Sequence, residues 1–165
     1  EPRTLQQTAN WLRGHRAAFD TDKMYRYAVF DTSGQILLGE NMLIDRVGPG
    51  GLEIGYWTHH EAVGKGIATE TSCVMIRLAF ETINVERVEI MCAPENAASA
   101  AIPAKLGFTH EGTLKSRGRD SEDKPCDLMV WSLFAVDYPS SPAAGLAMAA
   151  FDCMGEEISL ADANT

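Results

Sequence analysis

The chain has 165 residues, 45% of them hydrophobic and 22% charged, which is the balance of an ordinary globular domain with a real core. Its 14 basic and 23 acidic residues give a formal net charge of −9, which argues against non-specific nucleic-acid binding and favours a cationic small molecule or basic peptide as partner, although solubility explains the charge equally well. No apolar run approaches the ~20 residues of a membrane helix, no secretory signal is visible, and Cys73, Cys92, Cys126 and Cys153 form neither a CxxC nor a Cys/His cluster, so no metal site is expected and a reducing, cytoplasmic location is inferred.

Thr4-Leu5-Gln6-Gln7 reads as a capping box opening an amphipathic helix over 5–18. Tyr25–Phe30 reads as a strand, Asp31-Thr32-Ser33-Gly34 as a turn and Gln35–Ile44 as the return strand. After a Gly/Pro loop, Leu52–Thr58 is a third strand, so the three make an antiparallel meander. Ile67 to about Ile83 is apolar on several faces and predicts a buried helix. Arg87–Cys92 is a short strand, and strand–helix–strand order makes it parallel to 52–58. Asn96–Leu106 predicts a helix closed by Gly107. Thr109–Lys115 and Leu128–Ala135 predict a final hairpin around a polar loop, and Asp120-Ser121-Glu122-Asp123 within it reads first as a turn. The fold class is mixed α/β: a meander, a βαβ unit and a C-terminal hairpin. A single domain is expected over 1–142, with residues 143–165 as an extension. Phe151–Ile158 reads as a short hairpin or an oligomer contact, which leaves a homodimer open.

The turn Val63-Gly64-Lys65-Gly66-Ile67-Ala68-Thr69 stands between the third strand and the long helix. Glycines at a helix N-terminus leave bare N–H groups at its positive end, a site suited to phosphate or pyrophosphate. A Walker loop requires GxxxxGK followed by Ser or Thr, but Lys65 is followed by Gly66. A dinucleotide loop requires GxGxxG, but Thr69 stands at the third glycine and the loop follows an antiparallel meander.

The loop resembles the pyrophosphate loop of the GNAT acyl-CoA N-acyltransferases, Gln/Arg-x-x-Gly-x-Gly/Ala, with Val63 at the Gln/Arg position, Gly66 at the first Gly and Ala68 at the last place. Glu95-Asn96-Ala97-Ala98-Ser99 through Lys105-Leu106-Gly107-Phe108 is similar to the Asn-x-x-Ser…Lys-Leu-Gly-Phe segment of the RimJ/RimL-like branch. Glu53-Ile54-Gly55-Tyr56-Trp57 and Phe108-Thr109-His110-Glu111-Gly112 fit the same branch. The resemblance covers roughly residues 5–138. The family's first strand and helix have no counterpart, and with Glu1 in place of an initial Met this suggests a missing N-terminal portion.

The resemblance implies acetyl transfer from acetyl-CoA to a primary amine, the α-amine of a protein or peptide in this branch. It implies that the pantetheine arm lies between splayed parallel strands, with the backbone near Trp57 and Thr58 facing the thioester. The N–H groups from Val63 to Thr69 would hold the pyrophosphate. Lys65, Arg77 and Lys105 are candidates to meet the phosphates, and each reads also as an ordinary solubilising charge. Ser99 would protonate the leaving thiolate, and Asn96 would cap its helix and bond the pantetheine amides. Pro103 removes the N–H that would bond the Ser99 carbonyl, which bends the helix or frees that carbonyl for a ligand. His60 stands where some members carry a catalytic Glu, and Glu53 is a second candidate base; each reads equally as an exposed polar residue. Two other readings remain: acetylation of a small polycation such as a polyamine or aminoglycoside, and a non-catalytic acyl-CoA-binding module.

Overall fold

In a computed structural model the described residues are 3–152 and 154–158. Cys153 and residues 159–165 of the expected extension lie outside them. Helix α1 (Leu5–Asp20) starts at the expected capping box: Gln7 N–H donates to Thr4 Oγ1 at 3.2 Å, and Thr4 N–H donates to Gln7 Oε1 at 2.8 Å. Its partner is β1 (Met24–Phe30), against which Phe19 sits edge-on to Tyr25 at 5.3 Å between ring centroids.

Strands β2 (Leu37–Ile44) and β3 (Gly51–Thr58) complete the meander, antiparallel throughout. The return strand begins at Leu37 rather than Gln35 because the Asp31 carboxylate takes the N–H groups of Gln35 (3.1 Å) and Ile36 (3.0 Å). Helix α2 (Ile67–Arg77) follows, then β4 (Arg87–Cys92), α3 (Ala97–Lys105), β5 (Thr109–Arg119) and β6 (Pro125–Phe134). The sheet runs β1-β2-β3-β4-β6-β5, with β3 and β4 parallel as expected. The expected single helix to Ile83 is divided: α2 gives way to one wider π-type turn over Leu78–Thr82.

The final hairpin is longer than 109–115 and 128–135. Its register shifts between Leu114 and Gly118, and the displaced Ser116, at φ +52°, donates its N–H to Asp127 Oδ1 at 2.9 Å. That bulge lets the polar run 115–119 stay in the strand.

Alternation along β2 separates the two faces of the sheet. Fully buried Asn41 donates to Thr71 Oγ1 on α2 at 3.1 Å, while its neighbour Glu40 faces Arg26 and Trp57 on the α1 side. The core lies on the α2 side, among Leu43, Ile54, Ile76, Val88, Ile90 and Leu133. Helix α3 joins the same face through Ile102 and Leu106. Cys73 and Cys92 are buried, as their apolar surroundings suggested.

The packed structure continues past residue 142. Ala143 is fully buried, Ser141 Oγ donates to the Leu106 carbonyl at 2.7 Å, and Tyr138 stacks on Phe80 at 4.9 Å. Beyond it, Ala150–Phe151 (β7) and Glu157–Ile158 (β8) form a short hairpin whose turn is tied by the Asp152 carboxylate. The Glu81 carboxylate fastens this segment to α2, accepting from Arg77 at 2.7 Å and from the Tyr138 hydroxyl.

Burial pushes the Glu81 carboxyl upward, but the Arg77 and Tyr138 hydrogen bonds and the Arg77 charge outweigh it and leave its pKa below the ordinary value. A carboxyl depressed in the folded state contributes stability that is present above its unfolded pKa and lost as pH falls through the folded one. Glu81→Gln is therefore expected to lower stability at pH 7 and to flatten the fall in unfolding free energy below about pH 4.5. Denaturant titrations of both proteins across pH 3–7 check this.

Candidate functional site

Strands β3 and β4 pair at three positions, Gly51↔Arg87, Leu52↔Val88 and Glu53↔Glu89, and no further. From Ile54 onward they separate, and a cleft of about 640 Å³ opens beside the gap. Its walls are the end of β3, the turn before α2, and α3. Of the residues expected to hold the cofactor, Trp57, Thr58, Val63, Gly64, Gly66, Ile67, Ala68, Thr69, Asn96, Ser99 and Lys105 line it. Lys65 does not. One cleft thus collects two sequence blocks some thirty residues apart.

The turn before α2 exposes backbone donors. The first helical hydrogen bond runs from Glu70 N–H to the Gly66 carbonyl at 3.0 Å, so the N–H groups of residues 67–69 have no partner within the helix. Among the described residues no side chain caps this terminus. Gly64 and Gly66 lie at φ +79° and +84°. Among the described residues a Cβ at either would meet nothing within 4 Å beyond its chain neighbours, so the requirement for glycine is conformational. Free donors, a helix dipole and the neighbouring Lys105 fit the pyrophosphate of a coenzyme A. Val63, the departure from the motif, is 60% exposed and leaves these backbone donors uncovered.

On the opposite wall, Asn96 Oδ1 accepts from Ser99 N–H at 3.1 Å and caps α3. Ser99 Oγ lies 2.9 Å from the Tyr56 hydroxyl, which also donates to the Ser99 carbonyl at 3.2 Å. That carbonyl is the one Pro103 deprives of a helical partner, so the freed acceptor is taken by Tyr56 rather than left open. Burial raises the Tyr56 pKa, with the Ser99 hydrogen bond opposing. Tyr56 therefore stays a neutral donor at physiological pH. Reading the sequence alone missed it, since tyrosine in an apolar strand passes as core; the alternation that puts it on the same face as Ile54 was the available signal.

The two candidate bases lie elsewhere. Glu53 is 3% exposed, and its carboxylate is held by both ends of the Arg46 guanidinium, with Arg46 Nε donating at 2.6 Å. It belongs to the closed end of the β3–β4 pair and does not line the cleft. His60 sits in a 3₁₀ turn over His60–Ala62, its ring 4.3 Å from that of His59, and it too is absent from the cleft wall.

Residues 1–109 match the acetyltransferase (GNAT) domain family. A Bacillus subtilis protein provisionally named ribosomal N-acetyltransferase YdaF is 45% identical over 86 residues, which is 52% of this chain and 46% of that protein. The chain spans between 46% and 63% of the length of the curated relatives it matches. A crystal structure described as a probable acetyltransferase is 30% identical with a TM-score of 0.65, covering 72% of this chain and 66% of that one. The structure of Mycobacterium smegmatis RimJ in complex with CoA-disulfide superposes with a TM-score of 0.76 at 24% identity, over 87% of this chain and 73% of that one, which is a likeness of fold.

The conformational demand at Gly66 has a measurable consequence. Gly66→Ala is expected to cost about 1–2 kcal/mol of stability, because alanine is strained at that backbone angle. Gly14→Ala, in the middle of α1 with open space around it, is expected to add roughly 0.5–1 kcal/mol. Paired urea titrations of the two variants separate backbone strain from a general effect of adding a methyl group.

Proposed function

Because the chain belongs to the GNAT acetyltransferase family, we propose that it transfers the acetyl group of acetyl-CoA to a primary amine, the acceptor being the α-amine of a protein or peptide. The observation that carries the reading is the single cleft at the splayed strands, which brings the α2 N-terminus and the Tyr56–Ser99 pair to face each other. The name carried by the Bacillus subtilis relative favours a protein acceptor.

Within this reading the backbone donors of residues 63–69 hold the pyrophosphate, with Lys105 beside them. Asn96 and the open edge of β3 hold the amide-bearing arm, which replaces the pairing that β4 gives up after Glu53. The deprotonated amine attacks the thioester carbonyl, the C–N bond forms, and the C–S bond breaks as the tetrahedral intermediate collapses. Ser99 Oγ gives its proton to the departing thiolate and recovers one from the Tyr56 hydroxyl, its 2.9 Å neighbour, whose hydrogen swings over from the Ser99 carbonyl; the proton that the attacking nitrogen sheds as the amide forms restores Tyr56. Tyr56 also fixes the Ser99 backbone through the carbonyl bond, so one side chain both positions the donor and supplies it.

Purified protein with acetyl-CoA and peptides of varied first residue is expected to release free thiol. Ser99→Ala is expected to lower kcat about tenfold or more, and Tyr56→Phe to lower it while shifting the alkaline limb of the pH–rate profile, with acetyl-CoA affinity within about twofold in both. Acetyl-CoA binding without thiol release to any amine would favour a non-catalytic acyl-CoA-binding module instead.

A further inference from the structure

The final hairpin outruns the sheet. Strand β4 ends at Cys92, opposite Met129, while β5 and β6 stay paired out to Arg119↔Pro125. At about 3.3 Å per residue, this arm reaches roughly 13 Å past β4. It projects from the end of the sheet where β3 and β4 have parted.

The arm carries Lys115-Ser116-Arg117-Gly118-Arg119 on β5, an edge strand of the sheet. Lys115, Arg117 and Arg119 are all exposed. Among the described residues none of them has a carboxylate within 4 Å of its charged nitrogens. Acids outnumber bases 23 to 14 in this chain, and Arg26, Arg46, Arg77 and Arg87 each pair with one. The acids nearest the arm are engaged locally. Asp127 Oδ1 accepts from Ser116 N–H at 2.9 Å, and Asp120 Oδ1 from the N–H groups of Glu122 and Lys124 at 2.8 and 2.9 Å. Glu122 pairs with Lys124, and Arg119 donates to the Asp123 carbonyl at 3.0 Å. A net charge of −9 already serves solubility, so three clustered cations add nothing there.

Trp131 packs against the core, and alternation along β6 puts Met129 and Asp127 on that same face. Gly118 pairs with Cys126 and so lies on the opposite face, which sets Arg117 and Arg119 on the side of α2 and α3. No residue of the arm lines the cleft. Two residues apart, Arg117 and Arg119 are spaced about 6.6 Å along the strand, the spacing of alternate side chains in any extended peptide.

A guanidinium takes a carboxylate through two parallel N–H bonds, so these two arginines match carboxylates at alternate positions of an extended chain. The bulge at 115–117 breaks the regular edge, so recognition falls to side chains rather than to an added strand. The basic stretch is short, and Asp120, Glu122 and Asp123 follow it at once. Those acids repel the phosphates of a polynucleotide running past, whereas a few carboxylates fit within the arm.

The geometry points to the arm as a docking site for an acidic segment of the acceptor protein. The inference rests on the transferase reading above: one polypeptide presents its α-amine at the cleft and its acidic segment to Lys115, Arg117 and Arg119.

Two peptides of about twelve residues, ~40 Å when extended, test it. They share a neutral first half; the second half alternates Asp with Ala in one and Ser with Ala in the other. Thiol release is followed with both, and binding of the fluorescently labelled acidic peptide by anisotropy. The acidic peptide is expected to show a KM about fivefold lower, an advantage that fades by ~0.5 M salt as exposed ion pairs are screened. Lys115→Glu combined with Arg117→Glu is expected to abolish that advantage and the anisotropy signal, with KM for acetyl-CoA within about twofold. Neither side chain has a partner in the fold, so the thermal midpoint stays in place, and Arg119 is spared because it holds the turn. Equal kcat/KM for the two peptides, or an advantage that survives the double variant, would overturn the docking site and leave the transferase reading standing. Displacement of the labelled peptide by single-stranded RNA at lower concentration than by unlabelled acidic peptide would assign the arm to nucleic acid and overturn it as well. Absence of transfer to any peptide would sink the transferase reading, while the anisotropy titration still decides whether the arm binds an acidic segment.

Discussion

The structure depends on where the pairing of β3 and β4 stops. Glu53 and Glu89 sit side by side in the last pair before the strands part, both buried, and like charges in adjacent strands repel. Each is answered by its own arginine: Arg46 grips Glu53, and Arg87 donates to Glu89 at 2.8 Å. Arg87 also donates to the Val47 carbonyl at 2.6 Å and the Pro49 carbonyl at 3.1 Å, fastening the loop between β2 and β3 over the same end. Buried ion pairs add little net stability, yet removing one partner strands a charge in a low-dielectric interior. The double pair is thus a register device that keeps the closed end closed and sends the separation in one direction only.

At the open end a cavity lies on each face of the sheet. One face offers backbone donors at a helix N-terminus and a hydroxyl pair; the other offers an apolar cavity with a single carboxylate. Trp57 borders both. Backbone N–H groups survive any substitution but proline, so the donors at the start of α2 do not depend on the side chain at position 63.

Much of the fold was legible because it rests on local signals. The capping box at Thr4 and Gln7, the Asp31 turn, and the βαβ order from 52 to 92 each act within a few residues or follow from chain connectivity. The losses have physical causes too. The bulge at Ser116 depends on Asp127, eleven residues away across the hairpin, and hides a strand inside a polar run. Glu53 reads as a polar interruption in an apolar strand, but a central strand is covered on both faces, so alternation says nothing about exposure there. Arg46, which explains it, comes from a loop. The Tyr56–Ser99 contact spans 43 residues and arises only when α3 docks against the end of β3. The residues that line the cleft were readable because they lie in two contiguous blocks; those lining the cavity under α1 are scattered over α1, β1, β2 and β3.

Coenzyme A is expected to bind at the splayed end of the β3–β4 pair. The most direct test is a backbone amide NMR titration of the isotopically labelled protein with coenzyme A. The largest and saturating shifts are expected on residues 63–69, where the donors are backbone N–H groups, with a second group at 56–58 and 96–99. Saturating shifts confined to the α1 cavity, or none at millimolar coenzyme A, would contradict it.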